Sequence, residues 1–196
     1  LFNNEGKEVK AEILNLENSY AELQILERLQ KEETNLPQVH LYLSLIKQSN
    51  FELAVEKATE VGVASITPLI TERTVKLGIK RERLELIIKE ASEQSSRTSI
   101  PILNEPIKLP EALARAKSLG KIMFFDPSGL SFSSIPSNNL SPITSLFIGP
   151  EGGWSENELK LAKESGAQIT SLGHTILRAE TAAIVASYWQ VNLGEL

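Results

Sequence analysis

The chain has 196 residues, 41% hydrophobic and 23% charged, which is enough for one large globular domain or two small ones. It carries no cysteine and two distant histidines, His40 and His174, so a disulfide framework or thiolate metal site is excluded, a zinc hydrolase or histidine-based triad is improbable, and no metal is expected. A formal charge of −5 argues against a general, charge-driven nucleic-acid binder, and no run reads as a membrane span or signal peptide, so a cytoplasmic protein is the default.

Residues 1–36 read as strands and turns. Asn3-Asn4-Glu5-Gly6 is a turn signal, and Val9, Ala11, Ile13, Leu14 and Leu16 partly alternate with polar residues. Asn18-Ser19 gives another turn before Ala21, Leu23, Ile25 and Leu26. This is the pattern of a piece of a small β-domain. Because Leu1 is not an initiator methionine, a preceding segment is expected to be missing.

Leu36-Pro37 marks the expected boundary to a second domain, 37–196. Val39, Leu41, Leu43, Leu45 and Ile46 predict its first strand. Ser49 and Glu52 have capping-box spacing, and Phe51, Ala54, Val55, Ala58 and Val61 form one helical face ending at Gly62. A strand is expected over 64–69, a charged helix over about 80–96 and a short strand over 100–103. Pro110 suits the first turn of another helix. The apolar strand 121–125 should break at Asp126-Pro127-Ser128-Gly129, and the Ser-, Asn- and Pro-rich stretch 131–142 should be a surface loop.

Two loops close the chain. Leu146-Phe147-Ile148 runs into Gly149-Pro150-Glu151-Gly152-Gly153, whose glycines allow positive φ and close backbone approach, and Ser155 and Glu158 again space as a capping box. The strand 168–172 then leads through Gly173 to Arg178 and Glu180 at the mouth of an apolar helix. Strands alternating with helices predict an α/β fold, a largely parallel sheet with helices on both faces. Polar groups at the carboxyl ends of such strands are where these sheets place ligands.

Gly-Pro-Glu-Gly-Gly (149–153), followed after one helix and one strand by Leu-Gly-x-x-Ile-Leu-Arg-Ala-Glu-Thr-Ala (172–182), resembles the RsmE-type ribosomal RNA uracil-N3 methyltransferases of the SPOUT superfamily. The resemblance extends through Glu56–Val63, Ile66–Leu69, Thr71-Glu72-Arg73 and Glu93–Arg97, roughly residues 40 to 192. It implies a trefoil-knotted C-terminal domain, a partial PUA-like β-domain before it, and a homodimer that uses the last helix, where Tyr188, Trp189 and Val191 also suit an ordinary core.

The resemblance also implies S-adenosylmethionine as cofactor and a uridine N3 of small-subunit (16S) ribosomal RNA, or the small ribosomal subunit, as substrate. Ile148, Gly149, Glu151, Gly152, Leu172, Gly173, Ile176, Leu177 and Ala182, with Asp126 and Pro127 as a third wall, should hold the cofactor. Arg178 should orient or polarise the base, with Glu180 fixing Arg178 or nearby backbone. Arg73, Lys76, Lys80 and Arg81, with Gln94 and Arg97, are candidate RNA contacts. Read without the family, the basic cluster is equally a solvated loop, the glycine turn a plain strand-to-helix turn, and Arg178 and Glu180 a solvated helix start. His174 reads as an ordinary loop residue. Thr175, where many relatives carry Arg, departs from the pattern, as does Lys47–Asn50. The alternatives are a SPOUT enzyme acting on another RNA and a catalytically silent RNA-binding or ribosome-assembly module.

Overall fold

The computed structural model describes residues 7–29, 37–74, 78–134 and 141–192. The first element is an antiparallel hairpin, β1 (Glu8–Leu16) and β2 (Ala21–Leu29), turned at 17–20 by the Glu17 N–H on the Tyr20 carbonyl at 2.9 Å. Two register shifts, at Lys10/Ala11 and Ile13/Asn15, break its alternation, and apolar side chains of neighbouring residues such as Ile13 and Leu14, or Ile25 and Leu26, are alike exposed. The expected turn at 3–6 lies outside the described residues.

From Gln38 onward the chain alternates strand and helix: β3 (Gln38–Ser44), α1 (Gln48–Val61), β4 (Ser65–Ile70), α2 (Arg81–Gln94), β5 (Ile102–Leu103), β6 (Ile107–Lys108), α3 (Leu109–Leu119), β7 (Lys121–Ser131), β8 (Ile143–Ile148), α4 (Glu156–Glu164), β9 (Gln168–Ser171) and α5 (Ala179–Asn192). The seven strands form one sheet in the order β5-β4-β3-β8-β7-β9, with β6 also on β4, and every pairing is parallel. The expected parallel sheet is therefore present. The short β6, Ile107–Lys108 directly before α3, was not expected.

Period-two alternation divides the core. Leu41, Leu43, Met123, Phe125, Leu146 and Ile148 face α1, α2 and α5, whereas Tyr42, Phe124 and Phe147 face α3 and α4. The three rings stack, Tyr42 on Phe147 at 4.5 Å and Phe147 on Phe124 at 5.7 Å. Helix α5 presents buried Ala179, Ala183 and Ala186 to the first face, small residues that let the helix lie close to β3 and β8.

Three local expectations need correcting. Ser49 and Glu52 form no capping box: α1 starts at Gln48 with Lys47 before it, and Glu52 accepts from the Gln48 amide at 2.7 Å. Gly62, by contrast, ends α1 in the left-handed conformation as expected. Strand β7 does not stop at Asp126. Phe125 and Leu130 both sit opposite Thr170, so residues 126–129 bulge out while the strand continues to Ser131. Phe132, expected on a surface loop, is buried in a 3₁₀ turn with its ring 3.5 Å from that of Trp189.

Candidate active site

In a parallel sheet all carboxyl ends open on one edge, and there the bulge of β7 and the loops after β8 and β9 converge. They enclose a cavity of about 660 Å³, within the range of small-molecule sites. One wall is Phe125, Asp126, Pro127 and Gly129; the second is Ile148, Gly149, Pro150, Glu151, Gly153 and Trp154; the third runs from Thr170 to Ala179 and ends at Ala182.

Each wall is built locally. The Asp126 carboxylate accepts from the Ser128 N–H at 2.9 Å and its hydroxyl at 2.5 Å, closing the bulge as a tight turn. Gly129 then passes so close to β9 that a Cβ there would lie 2.4 Å from the Thr170 nitrogen. In the second wall the Trp154 indole donates to the Phe125 carbonyl at 2.9 Å and packs 4.1 Å from the Phe124 ring. A Cβ on Gly149 would lie 2.9 Å from that indole, so Gly149 is required by close approach; only Gly153 in this turn takes positive φ. The Ser155–Glu158 capping box is formed in full, with Ser155 N–H donating to Glu158 at 2.8 Å and Glu158 N–H to the Ser155 hydroxyl at 3.1 Å.

Arg178 immediately precedes α5, and its carbonyl accepts from the Ala182 N–H at 2.8 Å. A cation there opposes the helix dipole, so local stability does not account for it. Its side chain lines the cavity, is exposed, and makes no hydrogen bond or ion pair among the described residues. Glu180 is buried at 7% exposure, lines no part of the cavity, and has an Oε2 without a hydrogen-bond partner. No hydrogen bond or ion pair joins it to Arg178, the first of its two expected partners, the other being nearby backbone.

Residues 32–190 match the family model described as RNA methyltransferase domain. The ribosomal RNA small subunit methyltransferase E of Rickettsia conorii is 36% identical over 194 residues, spanning 95% of this chain and 77% of the relative. That of Bacillus subtilis is 32% identical over 197 residues, spanning 93% and 76%. The Neisseria gonorrhoeae enzyme of the same name, solved bound to S-adenosyl methionine, superposes with a TM-score of 0.85 at 31% identity, covering 95% of this chain and 78% of its own. The chain belongs to the ribosomal RNA small subunit methyltransferase E family.

In this methyltransferase E family member the three loops gather Asp126, Pro127, Ile148, Gly149, Glu151, Leu172, Gly173, Ile176, Leu177, Arg178 and Ala182 around one cavity. Gly152 stands apart, on the back of its turn, with its carbonyl accepting from Arg73 Nη1 at 2.6 Å. His174, read as an ordinary loop residue, lines the cavity with Thr175. Gly129, Trp154, Thr170 and Ser171 were missed; only the glycine in Asp-Pro-Ser-Gly was a usable signal, for a close backbone approach.

The candidate RNA contacts are not brought together as one patch. Arg97 donates to the Thr59 and Val63 carbonyls at 2.6 and 2.9 Å, which makes it a clamp on the end of α1, and burial lowers its pKa from the ordinary arginine value. Arg81 is held by Glu85, Glu105 and the Leu103 carbonyl. Lys80 and Gln94 are exposed, and Lys76 lies outside the described residues. Among the described residues no helix is long and apolar enough to cross a membrane.

Proposed function

We propose that this chain transfers a methyl group from S-adenosylmethionine to N3 of a uridine in small-subunit ribosomal RNA, in the cytoplasm. The observation that carries the proposal is the three-loop cavity with the unpaired guanidinium of Arg178 on its wall. The cavity suits the cofactor. Ile148, Leu172, Ile176 and Leu177 offer apolar surface for a purine ring, and the glycine backbones at 153 and 173 face open space, with no atom within 4 Å of where a Cβ would stand. Bound S-adenosylmethionine supplies an electrophilic methyl group.

The chain's own part is positioning and charge. Holding the uracil nitrogen in line removes much of the entropic barrier. Arg178 stabilises the negative charge that develops on the ring as its imide proton passes to solvent, an effect strengthened by the apolar side chains around it. Glu180, an acidic side chain in the first turn of α5, lies favourably against the helix dipole and steadies the start of that helix.

The family likeness also supports a trefoil knot. It supports a homodimer through the exposed stripe of Thr181, Val185 and Tyr188 on α5. The hairpin of β1 and β2 is consistent with part of a PUA-like domain, and Lys80 and Gln94 remain the RNA contacts that face solvent.

The test is incubation with labelled S-adenosylmethionine and small ribosomal subunits lacking the modification, followed by nucleoside analysis. Label in N3-methyluridine supports the proposal. Label in another nucleoside, or only in another RNA, favours a different SPOUT activity. Cofactor binding without label in any RNA favours a silent binding module.

A further inference from the structure

Behind the glycine turn lies a segment with no place in the cavity, Thr71-Glu72-Arg73-Thr74, which follows β4. It is folded on itself: Thr71 N–H donates to the Thr74 hydroxyl at 2.9 Å, the two hydroxyls meet at 2.7 Å, and Thr74 N–H donates to the Thr71 carbonyl at 3.2 Å. This small knuckle reaches both the turn and the first turn of α4 after it. Glu72 N–H donates to Glu158 Oε1 at 2.9 Å, and Arg73 Nη1 donates to the Gly152 carbonyl at 2.6 Å.

Glu158 is 5% exposed, and its carboxylate is fully used. One oxygen closes the capping box of α4 at Ser155 and the other holds the knuckle, a span of 86 residues in sequence. With each carboxylate oxygen accepting from a backbone N–H, the two N–H groups fix the carboxylate and the carboxylate fixes both segments. Arg73 bonds the turn itself. The Pro150–Gly153 turn is closed internally by the Gly153 N–H on the Pro150 carbonyl at 2.8 Å. Its Gly152 carbonyl points away from the cavity, to the guanidinium, while Glu151 and Gly153 on either side face inward.

The geometry points to Arg73 and Glu158 as positioning residues for the cofactor loop, setting the Pro150–Gly153 turn in its binding conformation from behind. The inference rests on the proposed cofactor site and assigns Arg73 a role separate from RNA contact. Three arms test it: Arg73→Ala, Arg73→Lys and Glu158→Gln, with Arg81→Ala as a control for loss of an exposed cation elsewhere.

Calorimetric titration with S-adenosylmethionine should give about tenfold weaker binding for Arg73→Ala, the scale of losing one charge-assisted hydrogen bond. Arg73→Lys should recover part of it, Glu158→Gln should weaken it severalfold, and Arg81→Ala should leave it unchanged. In methyl transfer, Arg73→Ala should raise the KM for cofactor more than it lowers kcat. Amide exchange decides the point without cofactor: the Gly153 N–H should exchange about tenfold faster in Arg73→Ala while the core strands keep their protection. An unmodified chain that binds no S-adenosylmethionine would remove the functional proposal, and the exchange result would still decide the clasp. Unchanged Gly153 exchange and cofactor affinity in Arg73→Ala, with only RNA affinity reduced, would overturn the inference.

Discussion

At position 178 an arginine stands where a helix start favours Ser, Thr, Asp or Asn and where the dipole disfavours a cation. A residue that the local structure disfavours, left unpaired on a cavity wall, is explained by what enters the cavity. Arg178→Ala is therefore expected to keep cofactor affinity within about threefold while turnover falls roughly 100-fold, the usual size of losing one charge-stabilising donor. Calorimetry and single-turnover methyl transfer on the same preparation separate the two; equal loss of both would make Arg178 part of the pocket wall. Gly149 makes the opposite case. A side chain there would meet the Trp154 indole at 2.9 Å, and the indole is held in place by the Phe125 carbonyl. Gly149→Val should lower Tm by about 2–12 °C, as expected for overpacking of roughly 1–3 kcal/mol in a domain of this size, and also abolish cofactor binding.

Among the elements, α1 is held at its end by a residue from beyond α2. Arg97 bonds the Thr59 and Val63 carbonyls, and the same Thr59 carbonyl accepts from Gly62 as the helix closes. Arg97→Ala should cost about 1.5–3 kcal/mol of stability through those bonds and leave cofactor affinity unchanged. Urea unfolding beside calorimetry checks this; loss of RNA affinity with no change in stability would restore the RNA-contact role. A second element-level device is His40 on β3, whose Nδ1 lies 2.7 Å from the Ser65 hydroxyl on β4. Burial first, then the Arg115 charge, lowers its pKa from the ordinary 6.5. With the folded value below the unfolded one, the unfolded chain takes up the proton first as pH falls. Stability is thus full above about 6.5 and is lost as pH falls from there toward the lowered folded value. Urea midpoints between pH 7.5 and 5 should decline with a slope that His40→Gln reduces.

For the whole molecule, the question is what covers the outer side of α5. Its inner side is filled by alanines against the sheet, whereas Val185 and Tyr188 stand 41% and 56% exposed on the other side. In a homodimer that stripe is buried, and a charge within it would have to be buried unpaired. Tyr188→Glu should therefore shift the protein to a monomer by analytical ultracentrifugation with its circular dichroism unchanged. A variant that sediments like the unmodified chain would place the dimer contact elsewhere, or show that none forms.

The sequence by itself determined the alternation of strands and helices, the left-handed end of α1 at Gly62, the capping box of α4 and the three loops that carry the cavity. Each rests on interactions within a few residues, or on a period that the strand or helix imposes on its own side chains. The parallel sheet followed from the same alternation. What only the tertiary structure decided lies between segments distant in the chain. Arg97 sits at helical spacing from Glu93 and Gln94, and nothing local indicates that its guanidinium turns back to residues 59 and 63. The capping box named Glu158, but its second oxygen meets Glu72 only because β4 and β8 lie in one sheet and both end on the same edge. The return of β7 to Leu130 after its bulge was likewise invisible, because Asp-Pro-Ser-Gly is a sound turn signal and pairing with β9 is what brings the strand back. Periodicity encodes which face of an element is buried; it carries no record of which distant carbonyl or carboxylate will be waiting there.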